Sequence, residues 1–350
     1  MTPDAPLRTA IARLAEGISL TADEAAAAFE VVMGGDASPV QTAALLMGLR
    51  AKGETADEVA GAALALRRAM RRVEVGDGIA TVDTCGTGGG RVGTLNLSTA
   101  AAFVVAGAGV PVAKHGNRSF TSRSGSADVL EALGVEIGLP PERAAGVLAA
   151  AGLVFLFAPT YHPAMRHAGP VRRELAVPTI MNLLGPLANP AGVRRQVIGV
   201  ADPARAPLMA GALARLGTRH ALVLHAEVGM DEVSPCGPTA VWEVCEGTVT
   251  RWALDPADYG LDCEDLGGLA GGEPAENAAR IEAVLSGDGG RAARCAVLLN
   301  AAAALYVAGK EWSVGEAAEQ ARTALESGAA LAALERLRRE APRAPAAGVS

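Results

Sequence analysis

Residues 83–128 read DTCGTGGGRVGTLNLSTAAAFVVAGAGVPVAKHGNRSFTSRSGSAD. This run limits the available folds more than any other stretch. Residues 79–84 form a short apolar run before glycines, which predicts a strand. Gly86, Gly88, Gly89 and Gly90 follow, with Gly93 just beyond. Such a string brings backbone close to a ligand, and its successive free N–H groups make a concave anion site. Asn96-Leu97-Ser98-Thr99 then opens an apolar helical run, with Ser98 or Thr99 as the expected N-cap. A helix start offers unpaired N–H groups and the positive end of a macrodipole, both suited to phosphate. Hydroxyls here also reach a metal bound to that phosphate. Residues 110–113 predict the next strand, whose end carries Lys114, His115, Gly116, Asn117 and Arg118. Ser119, Thr121, Ser122, Ser124 and Ser126 add hydroxyls. The order strand–loop–helix–strand puts both loops at the carboxyl ends of parallel strands, where α/β proteins bind ligands. The whole stretch reads as a holder for a phosphorylated polyanion.

Two other readings compete. A dinucleotide site wants an acidic residue about twenty positions on, at the end of the next strand, for a ribose hydroxyl. Lys114-His115 stands there instead, which favours phosphate over a ribose diol. Glycines that only shape a turn would not need a capped helix start and a basic loop behind them.

Composition sets the outer limits. In 350 residues, half hydrophobic and only 3% aromatic, the prior is about two domains with helix-rich cores of small aliphatics. A net charge of −7 argues against a nucleic-acid binder, which needs a basic face. Five scattered cysteines, an odd count without CxxC, read as reduced thiols in the cytoplasm, and Cys85 as a buried filler. Neither a secretory leader nor a membrane-spanning run is expected.

Residues 1–75 read as a helical domain. Thr21-x-x-Glu24, Ser38-Pro39-Val40-Gln41 and Thr55-x-x-Glu58 are helix starts, and Arg67, Arg68, Arg71 and Arg72 read as a solvated basic face. Residues 73–78 form a linker. Residues 159–190 crowd Tyr161, His162, Arg166, His167, Arg172, Arg173 and Asn182 between prolines, predicting a broken segment that crosses between domains. An arginine there suits a two-pronged pair with a substrate carboxylate. Strand–helix alternation resumes from 196, predicting a parallel sheet. Asp231-Glu232 lies in a loop beyond the strand at 220–225, and adjacent carboxylates there suit Mg²⁺ shared with phosphates. Residues 240–254 read as a hairpin turning at Glu246-Gly247, 255–269 as irregular, and 292–309 as holding a buried helix. Residues 341–350 read as a loose tail.

GTGGG, NLST, KHGNR, HPAMRH, NLLGPLANP, DEVSP and GGEPAENA, in that order, resemble the anthranilate phosphoribosyltransferase family over about residues 5–338. The resemblance implies a small all-helical N-terminal domain and a larger α/β domain with a mainly parallel sheet, the nucleoside phosphorylase/phosphoribosyltransferase type of fold. Residues 1–75, joined by part of 163–185, would serve dimerisation. Residues 76–340 would bind phosphoribosyl pyrophosphate (PRPP) and carry catalysis. The implied reaction is anthranilate plus PRPP giving N-(5-phosphoribosyl)anthranilate and pyrophosphate, in a cytoplasmic homodimer using two Mg²⁺ ions and no nucleic-acid or membrane partner. The matched positions imply a PRPP site of Gly86, Gly89, Gly90, Thr94, Asn96, Leu97, Ser98, Thr99, Lys114, His115, Gly116, Asn117, Arg118, Ser119, Ser122 and Ser126. They imply anthranilate contacts at Gly86, Asn117 and Arg172, and metal ligands at Ser98, Asp231 and Glu232. The chain departs from the family pattern at Gly90, where Asp is usual, and at Pro178, where Arg is common.

Substitution at an anomeric carbon passes through an oxocarbenium-like state. With pyrophosphate leaving, the protein must stabilise charge and place two substrates, so no general base is nominated. A pyrimidine nucleoside phosphorylase would share the architecture but use free phosphate and need no Asp-Glu metal pair. A non-catalytic nucleic-acid-binding relative would need a basic groove.

Overall fold

The computed structural model describes residues 3–343 except 77–79, 91 and 120–122. Four helices open the chain: α1 (Ala5–Ala15), α2 (Ala22–Gly34), α3 (Pro39–Lys52) and α4 (Ala56–Ala69). Thr21, Ser38 and Thr55 each accept a hydrogen bond from the third residue of their helix. Glu24, Gln41 and Glu58 return the bond to the cap N–H, so all three are capping boxes. Glu58 is fully buried and also accepts from Leu20 N at 2.9 Å and Lys52 Nζ at 3.1 Å, tying α4 to α3 and to the start of α2.

Strands β1 (Val82–Gly86), β2 (Val112–Gly116), β3 (Leu153–Phe157), β4 (Arg195–Gly199), β5 (His220–Ala226), β6 (Thr239–Cys245) and β7 (Thr248–Leu254) form one sheet in the order β3-β2-β1-β4-β5-β6-β7. The first five run parallel; β6 and β7 are antiparallel. Their hairpin turns at Glu246-Gly247, both at positive φ (44° and 83°), which matches the right-handed twist of the strands.

Helices cover both sheet faces, and side chains alternate between them. Leu222, Leu224 and Val197 belong to one core, with α5 (Leu97–Gly107), α6 (Ser126–Ala132), α7 (Pro141–Ala151), and the last helices. Ala221, Val223 and Ile198 belong to the other. That second core is continuous with the N-terminal helices. It also takes in residues of α9 (Met165–Leu175), α10 (Met181–Leu187) and α11 (Ala206–Arg215), beyond the single turn α8 (Ala158–Tyr161). Helices α12 (Pro274–Leu285), α13 (Arg291–Tyr306), α14 (Val314–Glu326) and α15 (Ala329–Glu340) complete the chain. Among the described residues no helix is long and apolar enough to cross a membrane.

Several expectations are refined. Pro170 and Pro186 lie inside α9 and α10, so the broken segment expected between the prolines consists of short helices. Arg67 is not on a solvated face: its Nε donates to Leu187 O at 2.6 Å, and burial pushes its pKa down to about 10. The irregular stretch 255–269 contains two single turns of tight helix, Pro256–Tyr259 and Leu266–Leu269. Part of the linker and most of the tail lie outside the described residues.

Candidate active site

Strand β1 is followed by β2 and β3 on one side, while the chain returns through β4 and β5 on the other. The sheet order therefore reverses between β1 and β4, and their carboxyl ends, Gly86 and Gly199, lie in register. An open α/β sheet offers its ligand crevice at such a point. Three loops meet there: the glycine loop after β1, the start of α5, and the loop after β5.

The loop after β5 is fixed from several sides. Ala226 N donates to Met230 O, Val233 N to Asn300 Oδ1, and Asn300 Nδ2 back to Val233 O, at 2.9–3.0 Å. The Asp231 carboxylate lies against the glycine loop, where the Gly88 N–H works against the burial that raises its pKa. Glu232 accepts from Ser98 N at 2.9 Å and from Thr94 Oγ1 at 3.0 Å. Glu232 thus caps α5 from a distant loop. The N-cap is Asn96, without a side-chain cap bond, and Ser98 and Thr99 fall in the first turn. The local-cap expectation fails because Asn96 is engaged elsewhere: its Nδ2 donates to Ser124 O and its Oδ1 accepts from Asn277 Nδ2, both at 3.0 Å. Among the described residues the buried Thr99 hydroxyl has no hydrogen-bond partner.

Lys114 and His115 alternate on β2 and face opposite sides of the sheet. Lys114, buried, donates from Nζ to Thr84 O and to Ser98 Oγ at 3.2 Å. Burial pushes its pKa down, while Asp83, Cys85 and Glu232 oppose that. The His115 ring turns away from this group: Nδ1 bonds Gly185 O at 3.1 Å and Nε2 meets His162 Nε2 at 3.2 Å. Burial takes His115 down to about 3 and His162 to about 4.

Beyond β2, Asn117 Oδ1 accepts from Arg118 N at 2.8 Å, and Ser126 Oγ donates to Asn117 O at 3.3 Å. Arg118 is paired with Asp128 at 2.8 Å and Glu131 at 2.6 Å, which raise its pKa, and Ser119 N donates to Asp128 Oδ2 at 3.2 Å. A Cβ on Gly116 would lie 2.3 Å from Ser126 Oγ, so glycine lets this loop close on α6. Leu97 is fully buried and contributes packing. Ser122 lies outside the described residues. Arg172 is half-buried in the last turn of α9, and burial lowers its pKa; among the described residues its guanidinium makes no hydrogen bond or ion pair. The structure therefore brings together Gly86, Gly90, Thr94, Ser98, Lys114, Asp231 and Glu232, and sets His115 and Arg118 apart.

Asp231 and Glu232 are both half-buried, and desolvation raises both pKa values, Glu232 to about 8 with Asp231 as second cause. Two adjacent desolvated carboxylates beside a serine hydroxyl make an all-oxygen donor set, too few ligands for a closed cage. That fits Mg²⁺, which keeps waters and shares substrate phosphates.

Residues 8–70 match the model of the glycosyl transferase family, helical bundle domain, and residues 78–331 that of the glycosyl transferase family, a/b domain. The chain is 52% identical to an anthranilate phosphoribosyltransferase of Rubrobacter xylanophilus over 96% of this chain and 98% of that one. It is similar to the crystal structure of anthranilate phosphoribosyltransferase (TrpD) from Thermus thermophilus, with a TM-score of 0.89 and 45% identity over 95% and 98% of the two chains. The Saccharomyces cerevisiae enzyme in complex with PRPP and Mg has a TM-score of 0.87 and 29% identity over 96% and 98%.

Proposed function

The chain belongs to the anthranilate phosphoribosyltransferase family of tryptophan biosynthesis, and we propose that it transfers the phosphoribosyl group of PRPP to the amine of anthranilate, releasing pyrophosphate. The observation that carries this reading is the half-buried Asp231-Glu232 pair, set against Gly86 and Gly90 of the glycine loop on one side and bonded to the start of α5 on the other.

In this reading Asp231, Glu232 and Ser98 hold Mg²⁺, with two ions the working number. The metal supplies charge stabilisation to the departing pyrophosphate. The glycine-loop amides and Lys114 bind phosphate oxygens; Lys114 has carbonyl and hydroxyl partners but no carboxylate bond to give up. Asn96 holds the Ser124 loop and α12 against the α5 start, fixing the wall behind the ribose. Gly86, Asn117 and Arg172 take anthranilate, the guanidinium facing its carboxylate. The remaining PRPP contacts are Gly89, Gly90, Thr94, Thr99, Gly116, Ser119, Ser122 and Ser126. Arg118 reaches phosphate by exchanging its two carboxylate partners, and His115 acts through the backbone of its loop. The working form is a cytoplasmic homodimer joined through residues 1–75 and part of 163–185.

The test follows anthranilate fluorescence with purified protein, PRPP and Mg²⁺. A loss of signal that needs all three components and stops with EDTA is expected. Folded protein that leaves the signal constant would end the reading. Arg172→Ala is expected to raise the anthranilate KM roughly tenfold or more with little change for PRPP, since a charged hydrogen bond contributes about 1.5–3 kcal/mol. Equal effects on both substrates would remove Arg172 from the acceptor site.

A further inference from the structure

Three glycines on two strand ends and one loop surround a single residue, two of them facing its side chain and one its backbone. A Cβ at Gly90 would lie 2.6 Å from Asp231 Oδ1. At Gly86 it would lie 3.2 Å from Asp231 Oδ2 and 3.4 Å from Gly199 O, and at Gly199 only 1.5 Å from Asp231 O. None of the three has a left-handed φ, so backbone conformation does not demand glycine there. Gly88 and Gly89 are the reverse case: their φ values are 68° and 86°, and nothing stands within 4 Å of a Cβ on either. The glycine loop therefore contains two residues that shape the turn and two that make room.

We propose that Gly86 and Gly90 form a socket that seats the Asp231 carboxylate for cation binding, with Gly199 making room for the Asp231 backbone beneath it, which makes Gly90 and Gly199 positioning residues for the metal. The inference rests on Asp231 being a metal ligand. The socket walls are tied together: Thr87 N donates to Gly199 O at 2.9 Å, and Ala201 N donates to Thr87 Oγ1 at 3.2 Å. A side chain at 199 meets backbone and displaces the whole loop after β5. A side chain at 90 meets only a carboxylate oxygen, which answers by rotating away. The Asp that the family pattern carries at this position has no room beside Asp231 as it is seated here.

The experiment titrates Mn²⁺ into PRPP-saturated protein and reads bound ion by electron paramagnetic resonance, for wild type, Gly90→Ala, Asp231→Ala and the double variant. Gly90→Ala is expected to keep its melting temperature and lose roughly tenfold or more in Mn²⁺ affinity, the range for losing a residue that orients a ligand. In the Asp231→Ala background the same change adds nothing, because its effect runs through that carboxylate. Equal affinity in wild type and Gly90→Ala, or fully additive losses in the double variant, overturns the socket. Wild type that binds no Mn²⁺ overturns the metal reading beneath it. Gly199→Ala, which strikes backbone, is expected to lower stability as well as affinity, so Gly90→Ala carries the decision.

Discussion

Lys114 and His115 are neighbours in sequence, and the two sheet faces they point to bury polar groups in opposite ways. On the Lys114 face the charges are undercompensated. Lys114 bonds a carbonyl and a hydroxyl, and Asp231 and Glu232 are desolvated side by side with backbone and hydroxyl donors as partners. On the His115 face most buried polar groups pair with one another, His162 Nδ1 being the exception among the described residues. Asp83 accepts from His115 N at 3.1 Å and Asn189 Nδ2 at 2.8 Å; the same Asn189 amide reaches Ala113 O, and Gln196 Nε2 donates to Pro186 O. A satisfied buried network rigidifies, whereas an undercompensated one is strained until a counter-charge arrives. The difference separates chemistry from architecture across the thickness of one strand.

The contrast makes opposite demands of two aspartates. Asp231→Ala is expected to lower kcat/KM by about a thousandfold, or about 4 kcal/mol, with stability unchanged or raised, because it removes a ligand and also a desolvated charge. Steady-state kinetics beside urea unfolding reads both. Asp83→Ala is expected to do the reverse: it orphans His115 N and Asn189 Nδ2, at about 1–3 kcal/mol each, so unfolding free energy falls by about 3 kcal/mol. The folded fraction should keep kcat within roughly tenfold. A stable but inactive Asp83→Ala would place both faces in the chemistry and dissolve the comparison.

What could be read from the residues divides along a similar line. Strand–helix alternation and three local capping boxes foretold the helical start and the parallel sheet, because those signals sit within a few residues of each other. Asp231-Glu232 was legible as a loop pair beyond a strand. The Ser98/Thr99 cap was misread because the group that caps α5 is Glu232, 134 residues away. Asn300 and Asn189 were missed for the same reason: their partners Val233 and Asp83 lie 67 and 106 residues off. A single asparagine inside the apolar run of α13 was the available signal for Asn300, since a buried amide implies a partner. The glycine string was legible as a loop, but not the division between Gly88 and Gly89, held by their φ, and Gly86 and Gly90, held by Asp231.

The histidines on the closed face give the smallest effect and the finest test. His115 Nδ1–H donates to Gly185 O, so its Nε2 accepts from His162 Nε2–H; His162 Nδ1 is then without its proton and, among the described residues, is buried without a hydrogen-bond donor. Both rings are therefore neutral in the fold, and burial holds their pKa values at about 3 and about 4. The unfolded chain takes up these protons near pH 6.5. Between that pH and about 4 the unfolded state binds more protons than the native one, so stability is complete above neutrality and falls as pH falls. A loss of about 4 kcal/mol between pH 7 and 5, about 2 kcal/mol from each histidine, is expected from chemical unfolding at each pH. His162→Phe should roughly halve that slope while costing about 1 kcal/mol at pH 7, because His115 Nε2 loses its donor. An undiminished slope would mean that acid attacks the open face first, and that the closed face gains nothing from holding its histidines neutral.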